Sequence, residues 1–438
     1  MTTATDRPAR SGWRDSEELR RLGASLATGV LLALMTGTSG SADNLTAGFR
    51  GSLLRPRIFT FLLLGLALYA VLYGYSRTRG QIHAAVAPLT VVRTRYLADR
   101  RVRYALYAVL LAFAIFYPQT LAPFWQRVLV DQIGIFVLLA IGLNVVVGFA
   151  GLLDLGYIAF FAIGAYTTAY FTGALPVQPP VHLNPFFVLP IAVLTCLIAG
   201  ALLGAPTLRL RGDYLAIVTL GFGEIVRITA VNSDPITNGP RGAFGIPHFS
   251  AFGYQWTLKS LPYYYLLLVF VIVILFAFHR LEDSRVGRAW TAIREDEVAA
   301  AASGVATVRY KLLAFSIGAS TSGFAGVLYA SKIGFISPDN FPLLLSILVV
   351  VFVIFGGMGS LPGVVVGAAI LQWLPQVLRD RVPPQDRFIY FGALLVVMMI
   401  FRPQGVLPSR RRARELGLAE EGVTAGDAVS TPAGGQVK

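Results

Sequence analysis

The sequence predicts an all-α fold, a polytopic integral membrane protein of about 10–12 transmembrane helices, on three observations. First, 55% of the 438 residues are hydrophobic and 14% are charged, against roughly 25% charged in an ordinary soluble domain. Second, the mean hydropathy is positive, at +0.65. Third, the apolar residues come in runs long enough to cross about 30 Å of hydrocarbon, with 44 Gly and 24 Pro available where such helices end or break. Soluble enzymes, disordered scaffolds and disulfide-stapled domains are excluded together. The lone Cys196 lies in an apolar run, so it reads as a small buried residue and no internal disulfide can form.

In chain order, the candidate spans begin with an N-terminal pair, Ala24–Thr38, which is short, and Ile58–Tyr75. After a basic stretch come a central six: Tyr104–Pro123, Val128–Val147, Leu155–Leu175, Phe186–Gly204, Asp213–Val231 and Pro262–His279. Four more follow, Tyr310–Ala330, Leu343–Gly357, Gly363–Leu378 and Phe388–Phe401, the second of them brief for a full crossing. Each run is bounded by charge, Pro or Gly. The expected organisation is a cytoplasmic N-terminus (1–23), an N-terminal helix pair and basic loop (24–103), a membrane core (104–408) with a polar loop at 281–309, and a basic then disordered tail (409–438). Met1–Arg21 is polar and precedes no compact apolar core with a small-residue cleavage site, so no cleaved signal peptide is expected.

Cytoplasmic loops retain Lys and Arg. Alternating the spans from a cytoplasmic start puts the N-terminal arginines, the Arg77–Arg103 loop, Arg209 and Arg211, the Arg280–Lys311 loop and the Arg402–Arg414 tail inside, roughly 26 of the 37 basic residues. Both termini are therefore expected in the cytoplasm. The same distribution accounts for the net charge of +14 with no nucleic acid as partner, because the basic residues are scattered over short loops and no aromatic residues interleave with them in a groove.

A phosphate-binding loop needs Gly-Lys-Ser/Thr, and none of Lys259, Lys311, Lys332 and Lys438 follows a glycine. The four histidines are far apart and no Cys/His cluster has metal-ligand spacing, so neither a metal nor a cofactor is expected.

Four stretches carry information. In Gly142–Tyr157, Asn144, Gly148, Gly151 and Asp154 interrupt two apolar runs; such a break is either the wall of a solute path, where irregular backbone is tolerated at membrane depth, or a tight turn at the membrane edge. In Leu208–Arg227, Glu224 and Arg227 lie three apart, share one helical face and can pair, which offsets part of the ~2.5–3.5 kcal/mol each charge costs at a helix centre; they either serve the path or anchor the span at the interface. In Gly287–Gly304, the Ala-rich body between two glycines predicts one short helix with Gly304 at its C-terminal cap. Trp290, Ile293 and Glu297 then share a side, which reads as a docking knob facing the cytosol or as a linker lying on membrane lipid, where the acidic residues would be repelled. The fourth group, Gly200/Gly204, Gly318 to Gly326, Gly356 to Gly359 and Gly363/Gly367, reads as close helix packing.

On Gly142–Tyr166, Leu208–Ile228, Gly287–Val305, Gly334–Phe341, Phe355–Ser360 and Phe401–Pro408, in that order, the sequence resembles the LivM-type permeases of bacterial branched-chain amino acid ABC importers. The resemblance implies an importer-permease fold over 104–408, a bacterial inner-membrane location, and inward movement of Leu, Ile and Val. It implies as partners a LivH-like second permease, two cytoplasmic ATPases of the LivG/LivF kind, and a periplasmic or lipid-anchored substrate-binding protein. By the same analogy the 281–309 loop couples to an ATPase through Gly287, Arg288, Ala289, Trp290, Ile293, Arg294, Glu295, Asp296, Glu297 and Gly304. The loop departs from the better-known Glu-Ala-Ala pattern with Gly six residues after the Glu: Glu297 is followed by Val298, and Gly304 comes seven residues later. Asn144, Gly148, Gly151, Asp154 and Glu224 are the candidates for the translocation path. The alternatives are a urea, short-amide or other amino-acid permease of the same kind, and an ion-coupled secondary transporter using Glu224, Asp131 and Asp154.

Overall fold

The computed structural model describes residues 100–207, 213–251, 253–256 and 259–379, with 392, 394–396, 398 and 404–407. The expected spans Ala24–Thr38 and Ile58–Tyr75, most of Phe388–Phe401, Arg209, Arg211 and the tail from 409 lie outside the described residues. Two units divide the chain. The first, Met1–Ala114 with Val382–Val397, contains helix α1 (Arg100–Phe116) as far as Ala114, and its Val109, Leu110 and Phe113 are exposed, as befits a surface solvated by lipid.

The second unit, Ile115–Arg381 with Met398–Lys438, carries α2 (Pro123–Phe149), α3 (Ile158–Phe171), α4 (Pro185–Thr207), α5 (Asp213–Asn232) and α6 (Ser260–Glu282). After it come α7 (Arg285–Glu295), α8 (Glu297–Ala302), α9 (Thr307–Ile333), α10 (Leu343–Gly356) and α11 (Leu361–Val377). Among the described residues six helices are long and apolar enough to cross a membrane: α2, α4, α5, α6, α9, and α10 together with the turn before it, Pro338–Gly356. That added turn answers the shortness of Leu343–Gly357. Ala108–Thr120, α3 and α11 are shorter apolar helices. The chain is an all-α polytopic membrane protein.

Helix positions follow from sequence. α2 is apolar on every side and is enclosed almost throughout, the expected place for such a helix. α4 and α6 keep one outward stripe, Leu194, Ile198 and Leu202 on the first and Val269, Val273 and Phe276 on the second. α9 is the spine, packed against α2, α3 and α4. Its small residues permit this: a Cβ on Gly164 of α3 would fall 2.2 Å from the Gly323 carbonyl oxygen, and one on Gly200 of α4 would fall 2.8 Å from Ala319 Cβ. Gly356 and Gly363 bring α10 and α11 together in the same way. In lipid, where apolar surface gains nothing from leaving solvent, such close backbone approach supplies the attraction. At the end of α9 remote from α7 and α8, β1 (Ala243–Phe244) pairs antiparallel with β4 (Phe335–Ile336), and β2 (Ser250–Ala251) with β3 (Tyr254–Gln255).

Gly164→Ala, which drives a methyl into a backbone carbonyl, is expected to destabilise by about 3 kcal/mol. Gly221→Ala on α5, where a Cβ meets nothing within 4 Å, is expected to be neutral or slightly favourable. Midpoints of thermal unfolding in detergent check both.

Candidate functional site

The polar loop folds as two helices, not one. Ser284 caps α7, its Oγ accepting from Val286 N at 3.1 Å and Gly287 N at 3.3 Å. Asp296 breaks the run with an extended backbone (φ −153°, ψ 109°) and caps α8, accepting from Val298 N at 2.8 Å and Ala299 N at 3.0 Å. A short carboxylate satisfies the first amides of a new helix better than it continues an old one, which is why the single expected helix divides there. Gly304, at φ +85°, ends α8: its amide donates to Ala301 O, and Val305 N to Ala300 O, both at 3.0 Å. That Schellman arrangement needs a left-handed residue at this point.

The apolar side of α7 faces the chain's own core. Trp290 is completely buried and its Nε1 donates to Tyr310 O at 2.7 Å, while Gly287, Ala289 and Ile293 are buried beside it. Trp290 and Ile293 therefore anchor the loop to the start of α9 and are no exposed knob. Glu297 strengthens the anchor through an ion pair with the buried Lys311, 2.5 Å away. Arg288, Glu295, Asp296 and Val298 are exposed, as are Arg285, Ala299 and the turn Ala301 to Gly304.

Arg294 turns inward. Its Nη1 donates to the carbonyl of Gly148, at the π-helical end of α2 (Asn144–Phe149). Gly151 (φ +71°) packs on the arginine stem, a Cβ there falling 2.8 Å from Arg294 Cγ. Asn144, fully buried, accepts from Gly359 N at 2.9 Å in the turn between α10 and α11, and its Nδ2 has no partner. Three candidates for the path, Asn144, Gly148 and Gly151, thus meet a candidate for coupling, Arg294.

Beyond Gly151 the chain runs without helix to Tyr157, so α3 begins three residues later than the apolar run does. Buried Asp154 accepts from Gly156 N at 2.9 Å, and Leu155 N donates to Thr219 Oγ1 of α5 at 3.1 Å. Leu152, Asp154 and Gly156 are buried, while Gly151 and Leu153 are exposed.

Glu224 and Arg227 pair across one face of α5, with Arg227 Nη2 to Glu224 Oε1 at 2.6 Å and both carboxylate oxygens engaged by Nε at 3.1 and 3.2 Å. Their side chains are 35% and 30% exposed, and Asp339, from the Gly334–Phe341 stretch, lies 3.8 Å from Arg227. Asp131 sits elsewhere, in the π-helical turn Leu129–Gly134 of α2, within reach of the charges of Lys332 and Arg127. The three carboxylates of the ion-coupled alternative each have a different set of neighbours.

Residue type and spacing did not point to Gly359, Lys311 or Asp339. Gly359 meets Asn144 across 215 positions, and no local pattern announces such a contact; Ser284 before a helical run is the one missed residue with a local signal.

The family described as branched-chain amino acid transport system / permease component has a profile that matches residues 128–402. The chain belongs to this family. LivM, the high-affinity branched-chain amino acid transport system permease protein of Escherichia coli (strain K12), is 44% identical to it over 299 residues, 63% of this chain and 68% of that protein. The probable LivM of Methanocaldococcus jannaschii is 24% identical over 302 residues, 61% of this chain and 84% of that one. LivH of Escherichia coli (strain K12), also described as a high-affinity branched-chain amino acid permease protein, is 32% identical over 124 residues, 28% of this chain and 40% of its own. No solved structure matches the chain. As a member of a family of transport permeases, it is a multi-pass membrane transport component and not an enzyme.

If charge anchors the loop, Glu297→Gln, which leaves a buried ammonium unpaired, is expected to destabilise by about 3 kcal/mol. Lys311→Met, which removes that charge and leaves a carboxylate that is 40% exposed, should cost less. Denaturation in micelles followed by tryptophan fluorescence ranks the two; the reverse order would show that the pair acts through something other than charge.

Proposed function

We propose that this chain is the permease subunit of an ABC importer that carries Leu, Ile and Val inward across a bacterial inner membrane, with both termini in the cytoplasm. Membership of the permease family over residues 128–402 is the observation that carries the reading. In it a LivH-like second permease completes the membrane part, two LivG/LivF-like ATPases supply the energy, and a periplasmic or lipid-anchored binding protein delivers the solute. Partial likeness to LivH supports a partner built on the same plan.

The α7–α8 loop is the coupling element. Arg288, Glu295, Asp296 and Val298 form the surface offered to an ATPase, with the exposed Gly304 closing α8 at its edge, and Gly287, Ala289, Trp290, Ile293, Arg294 and Glu297 hold that surface on the membrane core. Because ATP binds the two states of the ATPase pair with different affinity, it shifts their equilibrium, and the anchored loop carries the shift inward to give alternating access. Glu224 lines the path: a carboxylate beside a guanidinium on an open helix face suits a solute bearing both an ammonium and a carboxylate, and an exposed ion pair facing lipid alone would be costly. Asn144, Gly148, Gly151 and Asp154 frame that path at its broken wall.

The test is uptake of radiolabelled L-leucine by vesicles holding the whole complex. Uptake is expected to require ATP, to survive an uncoupler and to resist excess urea. Uptake that collapses with the uncoupler and persists without an ATPase would overturn the reading, and strong competition by urea would move the substrate to the short amides. Arg288→Ala with Glu295→Ala and Asp296→Ser, the last keeping the α8 cap, should reduce recovery of the ATPases at least tenfold (about 1.4 kcal/mol) with the fold intact. Normal recovery would remove the docking assignment.

A further inference from the structure

We propose that Arg294 is a positioning residue for transport, the tie through which the coupling loop moves the broken end of α2 and the α10–α11 turn as one body. The inference rests on the importer reading and adds to it the residue that transmits the motion.

Three segments distant in sequence converge on one guanidinium. The first is the end of α2. As that helix unwinds, Ala150 N takes the carbonyl of Val145 at 3.2 Å and Leu152 N takes that of Val146 at 3.0 Å. The Gly148 carbonyl, two residues on, receives Arg294 Nη1. A cation at the C-terminal end of a helix also meets the negative end of its dipole. The second segment is the α10–α11 turn: Gly359 (φ +79°) has no room for a side chain, since a Cβ there would lie 2.9 Å from Arg294 Nη1 and 3.1 Å from Gly148 O. Its amide is held by Asn144, one turn before Gly148 on α2. The third is α7 itself, which the buried Trp290 and Ile293 hold in place, so that the backbone from which Arg294 reaches Gly148 moves with the loop. A push on the exposed face of α7 and α8 therefore reaches α2 through a directional, charge-assisted bond as well as through packing. Arg288, Glu295 and Asp296 stand on the outer face of the same loop, so docking and transmission belong to different residues and can be separated.

The experiment reconstitutes the four-subunit complex in lipid vesicles and reads three quantities: recovery of the ATPases, ATP hydrolysed, and L-leucine taken up. In Arg294→Met the aliphatic stem still fills the space beside Gly151 and the donors are gone. The expected result is ATPase recovery within twofold of the unaltered complex, continuing ATP hydrolysis, and at least a tenfold fall in leucine carried per ATP. Arg294→Lys and Arg294→Gln, which retain a donor, are expected to recover part of that ratio. An unchanged ratio in Arg294→Met would overturn the tie while leaving the importer reading in place. Failure of the unaltered complex to take up leucine with ATP would instead overturn the importer reading. If none of the three variants is recovered with its ATPases, Arg294 serves assembly and the proposal falls.

Discussion

A buried backbone amide or carbonyl left without a partner costs free energy comparable to a lost hydrogen bond, and this chain abandons helix between Phe149 and Ile158 among its packed helices. Everything around that break can be read as the means of supplying partners. Gly148 O is taken by Arg294 of α7, Leu155 N by Thr219 of α5, Gly156 N by Asp154, Ile158 N by Ser346 of α10 at 3.0 Å, and Tyr157 O by Ser322 of α9 at 3.3 Å. The donors and acceptors come from four other helices, so the break is stable only once those helices have assembled. This is the reverse of an ordinary membrane helix, whose backbone is satisfied before it meets any neighbour.

That dependence explains why α9 is the spine. A helix that presents a hydroxyl to Tyr157, a carbonyl to the Tyr157 hydroxyl (Gly318 O, 3.1 Å) and a close backbone approach to α3 and α4 needs small residues at those crossing points, while Phe315 and Tyr329 pack on Phe160 and Phe161 of α3 to either side. Gly318, Ala319, Ser322, Gly323 and Gly326 answer those demands. The same helix begins beside Trp290 and Lys311 and ends beside the strand pair, so the loop that faces an ATPase in the importer reading and the opposite surface share one rigid member.

Among the described residues the spans were legible because their signal is additive: twenty apolar residues outvote any single polar one. Packing at Gly200, Gly323, Gly326, Gly356 and Gly363 was legible for a similar reason, since spacing alone places small residues on one face, whereas Gly357 and Gly359 take left-handed backbone in the turn between α10 and α11. The two-helix form of the 281–309 loop was not read, because a mid-run Asp is compatible with an exposed helical site as well as with a cap, and only the amides it finds decide between them. The orientation of Trp290 was missed on different grounds. Periodicity shows that a short helix has an apolar side and says nothing of whether that side meets its own chain or a partner. Pairing of Glu224 with Arg227 was legible from a three-residue spacing, whereas Asp339, which completes the charged group, lies more than a hundred positions away.

The break also bears on how such a protein can have two states of similar energy. An intact helix resists bending because each i to i+4 bond must be lost outright. Here a carbonyl in the last turn of α2 is held by a charged side chain from another element, and a hydrogen bond of that kind contributes about 1.5–3 kcal/mol net. Asn144 sharpens the point. One of its amide atoms is engaged with Gly359 and the other, Nδ2, is buried with no acceptor, a penalty of about 1–3 kcal/mol that any arrangement bringing a carbonyl to it would recover. A displacement of the Gly148 end that breaks one bond and satisfies that donor would set terms of similar size against each other, which in the importer reading is the energetic condition under which differential binding of a nucleotide to partner subunits suffices to select between conformations.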